Sequence, residues 1–238
     1  METIVFVHGL GSGPRAWHPQ RIALQGHYRI VTPTLPGHGE HPGPFTLCDA
    51  VEAVTDHLDS GCHLVGMAAG GTIALMAAMT RSSALASLTV SAPITHLRGL
   101  ASLYHRMAPV APYGLLRSIL SLPEPSGSAA RTIVAEDLAA CGRQTIAQGL
   151  AKLAHTDLRH RLDQISAPTL VLAGRNDRRG IETAARTARL LPHASLTIVP
   201  DAGRLWNLEL PNTFNRILTG FIDANTNHPN EPHAAVTG

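Results

Sequence analysis

The sequence predicts an α/β protein: a mostly parallel sheet of about six strands, with helices on both faces and a helical insertion. Two observations predict it. Short β-rich runs alternate with longer helical patterns, the order that builds parallel sheets covered by helices. The β-rich runs are also continuously apolar, as in Thr169-Leu170-Val171-Leu172-Ala173, which suits strands buried on both faces. A chain of 238 residues is long enough for one domain of this class to bury a core without staples.

The elements follow in order. A strand at 3–7 precedes a helix near 15–25, and a strand near 28–33 precedes a helix near 47–59. The strand at 62–66 runs through glycines into a helix near 69–82, and a fourth strand covers 86–91. From 94 to 165 the composition is helical, but Pro109, Pro112, Pro123 and Pro125 break it into several short helices. A segment of that length at the carboxyl end of a strand reads as a lid over a site. Strands at 169–173 and 195–199 then alternate with helices near 181–191 and 211–223. The core is therefore 1–93 with 166–223, the lid is 94–165, and the polar tail 224–238 is expected to be disordered.

Composition narrows the function. Hydrophobic residues make up 44% and charged residues 15%, and the net charge is +2, so neither nucleic acid nor a membrane surface is an expected partner. No apolar run reaches the ~18–20 residues of a membrane helix. Met1 leads directly into the first strand without a basic leader, which makes the cytoplasm the expected location. The three cysteines, Cys48, Cys62 and Cys141, lack metal spacing and read as buried small hydrophobes. No histidine or cysteine cluster has metal-ligand spacing and no glycine loop has phosphate-binding form, so no metal or cofactor is expected.

Four motifs sit at the carboxyl ends of the expected strands. His8-Gly9-Leu10-Gly11 follows the first and Pro36-Gly37-His38-Gly39 the second. Gly174-Arg175-Asn176-Asp177 follows the fifth, and Ala202-Gly203-Arg204 with Glu209 follows the sixth. Gly66-Met67-Ala68-Ala69-Gly70 has the layout of the strand–turn–helix elbow G-x-S-x-G. Together these resemble the α/β-hydrolase superfamily over almost the whole chain, and in particular its small lidded members acting on esters, enol-lactones and carbon–carbon bonds. The resemblance implies an α/β-hydrolase fold, oxyanion donors at the Leu10 and Ala69 amides, the nucleophile position at 68, the acid at Asp177 and the histidine position at 204.

The chain departs from that pattern in three places. It has Ala68 where the family has serine, Arg204 where it has histidine, and it begins at what the family would count as its third strand. The expected sheet therefore lacks the usual antiparallel pair; a misassigned start codon would look the same. An alanine has no oxygen to attack, and a guanidinium stays protonated and accepts no hydrogen bond. Losing both roles together leaves little acyl-enzyme chemistry, because triad members act as a unit. The backbone amides do not depend on those side chains and suit a carboxylate or an enolate. Asp177 is expected to face Arg204, either as a closed ion pair or with Arg204 offering part of its fork to an anionic substrate. In the second case Asp177 doubles as a base that the arginine weakens.

Other candidates are set by position. His8 reads as a structural histidine of the oxyanion loop. Tyr104, His105 and Tyr113 fall in the lid, facing either the cavity or water. Met67 reads as core, Trp17 and Trp206 as pocket wall or core, and His38 and His41 as exposed. Three functional readings stay open. One is a non-hydrolytic enzyme with isomerase, epimerase, lyase or cyclase chemistry on a small carbonyl or carboxylate, including an anionic or peptide ligand. Known relatives by resemblance include lyases, cofactor-free oxygenases and a peptide epimerase of a natural-product pathway. The second is an inactive ligand-binding pseudoenzyme. The third is a hydrolase whose serine was deliberately removed, against which Arg204 speaks, since such a design seldom also replaces the histidine.

Overall fold

A computed structural model describes residues 1–41, 43–96, 104–120 and 128–227. Six strands form a single sheet in the order β2-β1-β3-β4-β5-β6: β1 Thr3–Val7, β2 Arg29–Val31, β3 Cys62–Met67, β4 Leu85–Ser91, β5 Thr169–Gly174 and β6 Ala194–Val199. All five pairings are parallel. Every carboxyl end therefore opens on one edge, and the order reverses direction between β1 and β3, where α/β sheets place their ligands.

The helices divide between the two faces. A 3-10 turn at Pro14–Trp17 leads into α1 (His18–Leu24); α2 is Leu47–Thr55 and α3 Ala69–Arg81. On one face Val54 of α2, Ile73 and Leu75 of α3 and Ala184 of α7 (Arg178–Leu190) pack on Val5, Leu64 and Val171. On the other, Leu24 of α1 and Phe214, Leu218 and Ile222 of α9 (Pro211–Asn227) cover Ile4, Phe6 and Leu172. Each such side chain, fully buried, contributes roughly 1.5–3 kcal/mol. A four-residue helix, α8 (Trp206–Glu209), completes the order before α9.

Between β4 and β5 lie α4 (Tyr104–Met107), α5 (Tyr113–Ile119) and α6 (Ser128–Ala154). The first two are short, as Pro109 and Pro112 require. Pro123 and Pro125 lie outside the described residues. After them no proline occurs until Pro168, so the chain forms one 27-residue element that bends at Gly142, where φ 75° and ψ 159° leave the helical region. This third layer has its own core: Leu116, Leu138, Ile146 and Leu150 close on Leu10 and Ala69.

Several boundaries differ from the sequence reading. Helix α7 starts at Arg178 rather than 181, because the Asp177 carboxylate caps it by accepting from the Gly180 N–H at 2.9 Å. Helix α9 continues to Asn227, so the first four residues assigned to a disordered tail are helical; the rest of that tail lies outside the described residues. Cys62 and Cys141 are buried, but Cys48 is exposed on the outer side of α2. No described helix is long and apolar enough to cross a membrane.

Candidate functional site

The elbow after β3 is built by close packing. A Cβ on Gly70 would meet the carbonyl oxygens of Val7 and His8, and one on Gly66 would meet the Gly70 backbone. The two glycines let α3 start hard against β1 and force the connecting residue into a tight turn. That residue, Ala68, has φ 51° and ψ −118°, a left-handed conformation that costs a residue with a Cβ on the order of 1–3 kcal/mol. Its N–H donates to the Ser91 carbonyl at 2.9 Å, and its carbonyl accepts from the Thr72 N–H at 3.2 Å. Met67, below it, is buried core, as its place in the strand required.

Beside the elbow lie the two amides of interest. Ala69 N–H is at the first position of the 13-residue α3, where the helix dipole is positive, and Leu10 N–H belongs to the loop after β1. Among the described residues neither amide has a hydrogen-bond partner. The loop carrying Leu10 is fixed by two histidines. His8 donates from Nδ1 to the Gly9 carbonyl at 3.0 Å and accepts from the Leu35 N–H through Nε2 at 3.2 Å. His38 pairs with the Pro36 carbonyl through Nδ1 at 3.0 Å and accepts the Gly11 N–H through Nε2 at 3.3 Å. These partners require both rings to be neutral. Burial, and His38 beside it, push the His8 pKa down to about 3, and burial also lowers that of His38. His8 is thus a structural cross-link with no proton to exchange near neutrality. His38, expected to be exposed, is buried against His8 and Phe45, while His41 is exposed.

The third corner joins the β5 and β6 loops. Gly174 lies against the Ala202 carbonyl, and the Asn176 N–H donates to that same carbonyl at 2.9 Å. This brings Asp177 to Arg204, whose Nη2 donates to Asp177 Oδ1 at 3.0 Å, with both side chains only 10% exposed. The pair is incomplete: Arg204 Nε and Asp177 Oδ2 are buried without a hydrogen-bond partner among the described residues. Glu209 accepts from the Gly203 amide and so steadies the Arg204 loop, and burial raises its carboxyl pKa. Its role was unread in the sequence, although it closes the motif quoted there.

The remaining candidates part company with the site. Trp17 and Trp206 are buried in the β-sheet core with Phe6 and Phe214, their rings tilted against one another at 4.7–5.6 Å between centroids, so they pack as core rather than pocket wall. Trp206 Nε1 donates to Ser91 Oγ at 3.0 Å, directly under the elbow. Tyr113 is 40% exposed and stacks under the Arg143 guanidinium at 4.4 Å, facing outward. His105 lies 6.4 Å from the His155 ring, on the insertion. The expectation for the Tyr104 side chain lies outside the described residues. Among those residues no group of three or more histidine, cysteine or acidic side chains has the arrangement of a metal site. Chemically, the edge offers two free amide donors, one guanidinium, and one carboxylate oxygen without a partner.

Comparison with known proteins is consistent with this geometry. The 3-oxoadipate enol-lactonase 1 of Acinetobacter baylyi is 30% identical over 235 residues, covering 92% of this chain and 88% of the relative. A pimeloyl-(acyl-carrier protein) methyl ester esterase of Aromatoleum aromaticum is 28% identical, covering 84% and 90%. The structure of MenH from S. aureus superposes with a TM-score of 0.82 at 20% identity, covering 94% of each chain, and so shares the fold. The sequence profile described as the alpha/beta hydrolase family matches residues 4–217. Sheet order, elbow and profile agree over nearly the whole chain, and the protein belongs to the alpha/beta hydrolase family.

Proposed function

We propose that this protein is a non-hydrolytic enzyme acting on a small carbonyl or carboxylate substrate held beneath the 94–165 insertion, which serves as a lid. The observation that carries the reading is the elbow itself. Ala68 keeps a strained backbone, and the Leu10 and Ala69 amides stay free beside it, although no nucleophile stands there. Strain of this kind persists where surrounding structure holds it for a purpose. Two preorganised N–H donors at a helix start stabilise a developing oxyanion, and each is worth ~10²–10³ in rate where it has been removed.

The chemistry follows from what remains. Asp177 Oδ2, without a partner in the ground state, takes a proton from the carbon next to the substrate carbonyl. The C–H electron pair becomes the carbon–carbon double bond, the carbonyl π pair moves to the oxygen, and the resulting enolate oxygen sits on the two amides. Return of the proton from either face gives isomerisation or epimerisation; loss of a neighbouring group gives lyase chemistry, and attack by the enolate gives cyclisation. Hydrolysis through an acyl-enzyme is absent because Ala68 cannot attack and Arg204 cannot act as base. An enol-lactonase among the relatives supports an enol-type substrate. No resident cofactor or metal has a role in this reading, and the cytoplasm is its setting.

The test is solvent deuterium exchange. The wild-type protein is expected to exchange acidic α-hydrogens in a panel of small keto acids and peptide-like carbonyl compounds while leaving activated esters intact. No exchange across the panel, or brisk ester cleavage, would overturn the reading. A second reading, a ligand-binding pseudoenzyme, is favoured by the Asp177–Arg204 contact, which occupies the acid–base position. It predicts a ligand-dependent rise in melting temperature with no turnover.

A further inference from the structure

The corner between β5 and β6 carries more positive charge than its ion pair uses. Arg175, Arg178 and Arg179 stand within five residues, all exposed and none in an ion pair among the described residues. The acid among them, Asp177, is already engaged by Arg204, and exposed Asp201 in the adjoining loop pairs with none of the three. Among the described residues, one of these four guanidiniums, that of Arg204, has a carboxylate partner.

Their placement adds cations to a helix start whose anion, the Asp177 cap, is already paired with Arg204. Arg178 and Arg179 are the first two residues of the 13-residue α7, and its first turn has no acidic side chain. A helix start favours anions, and a cation there is unfavourable by a few tenths to ~1 kcal/mol. Local rules are broken at functional sites more than elsewhere. The same corner holds an independent sign of a missing ligand. Arg204, nine-tenths buried, spends one N–H on Asp177 and leaves Nε with no acceptor among the described residues. An oxyanion is the acceptor this corner lacks, and guanidinium forks bind oxyanions with two parallel hydrogen bonds.

We propose that the substrate carries a second anionic group, phosphate or carboxylate, seated on Arg175, Arg178 and Arg179 with Arg204 at its base. This rests on the reading that substrate occupies the carboxyl edge of the sheet, and it adds the substrate class: an oxyanion-bearing carbonyl compound. The loop positions are fixed, since Gly174 lies against Ala202 and the Arg175 N–H donates to the Val199 carbonyl at 2.9 Å. The arginines thus extend from a fixed loop and helix start at the carboxyl edge of the sheet.

Titration calorimetry on the full chain tests this with pyrophosphate and citrate as probes, at constant ionic strength in chloride. One or both probes should bind, and R178A/R179A should weaken binding at least tenfold, whereas R178K/R179K should weaken it less. The control R186A/R189A removes the same charge from the far end of α7 and should leave binding within twofold. Tighter pyrophosphate binding assigns a phosphorylated substrate; tighter citrate binding assigns a polycarboxylate. Absence of binding by both probes, or an equal loss in the control variant, overturns the proposal. Anion binding without deuterium exchange would defeat the enzyme reading and leave this corner standing; exchange without anion binding would do the reverse.

Discussion

At the scale of single residues, the decisive pair is Asp177 and Arg204. The meeting of Arg204 with Asp177 was legible in the sequence, because the two motifs end neighbouring strands; that position 204 has lost a base belongs to the proposed reading. What could not be read was the second duty of Asp177, whose Oδ1 also caps α7. A residue assigned to chemistry was overlooked as a helix start, which displaced the expected helix by three residues. The consequence is testable in stability. Arg204→Ala leaves a nine-tenths buried carboxylate without its cation and is expected to cost about 3 kcal/mol in urea unfolding. Asp177→Asn should cost less, because an amide oxygen can still accept from Gly180 and no bare charge remains. Equal stability of wild type and Arg204→Ala would show that the pair is already solvated.

At the scale of elements, the loop after β1 depends on two neutral histidines. Both accept backbone N–H groups through Nε2, so protonation removes the acceptor as well as placing charge in the core. Their folded-state pKa values lie below the ordinary 6.5, that of His8 at about 3. The unfolded chain therefore binds more protons than the native one below that ordinary value. Stability is full above pH ~6.5; for His8 it falls as pH drops toward 3, by up to about 1.4 kcal/mol per pH unit, and His38, whose pKa burial also lowers, adds to the loss in the same direction. Urea midpoints measured from pH 7.5 to 4 should show this slope, and it should be shallower in His8→Gln. The P-G-H-G turn was read correctly as a turn, yet the burial of His38 was missed, because periodicity does not report where a turn side chain points. The insertion meets this loop through Leu10, which lies against Gly149 of α6. Gly149→Ala places a methyl group on the Leu10 side chain and should lower stability by roughly 1–3 kcal/mol, read as a fall in melting temperature.

At the scale of the whole molecule, the fold was legible because central parallel strands are written as largely apolar runs; β1, β3, β4 and β5 are buried almost throughout, while the edge strands β2 and β6 are partly exposed. The insertion was legible as a helical interruption but not as its final shape, since α6 forms beyond the last of its prolines. The frame of the candidate site was legible where it depends on backbone: the elbow, the loop after β1 and the loops after β5 and β6 all lie at the carboxyl edge of the sheet. It was least legible where it depends on side-chain direction. Trp17 and Trp206 turn into the sheet core, and Tyr113 turns outward, choices set by packing partners far away in sequence. The central claim is that an intact hydrolase frame surrounds a centre stripped of both nucleophile and base. Hydrolysis of p-nitrophenyl acetate by Ala68→Ser and by Ala68→Ser/Arg204→His tests it most directly. The account predicts that the single variant stays at the wild-type background, while the double variant exceeds it by about 10² or more. Robust activity in the single variant, or a blank double variant that is still folded, would contradict it.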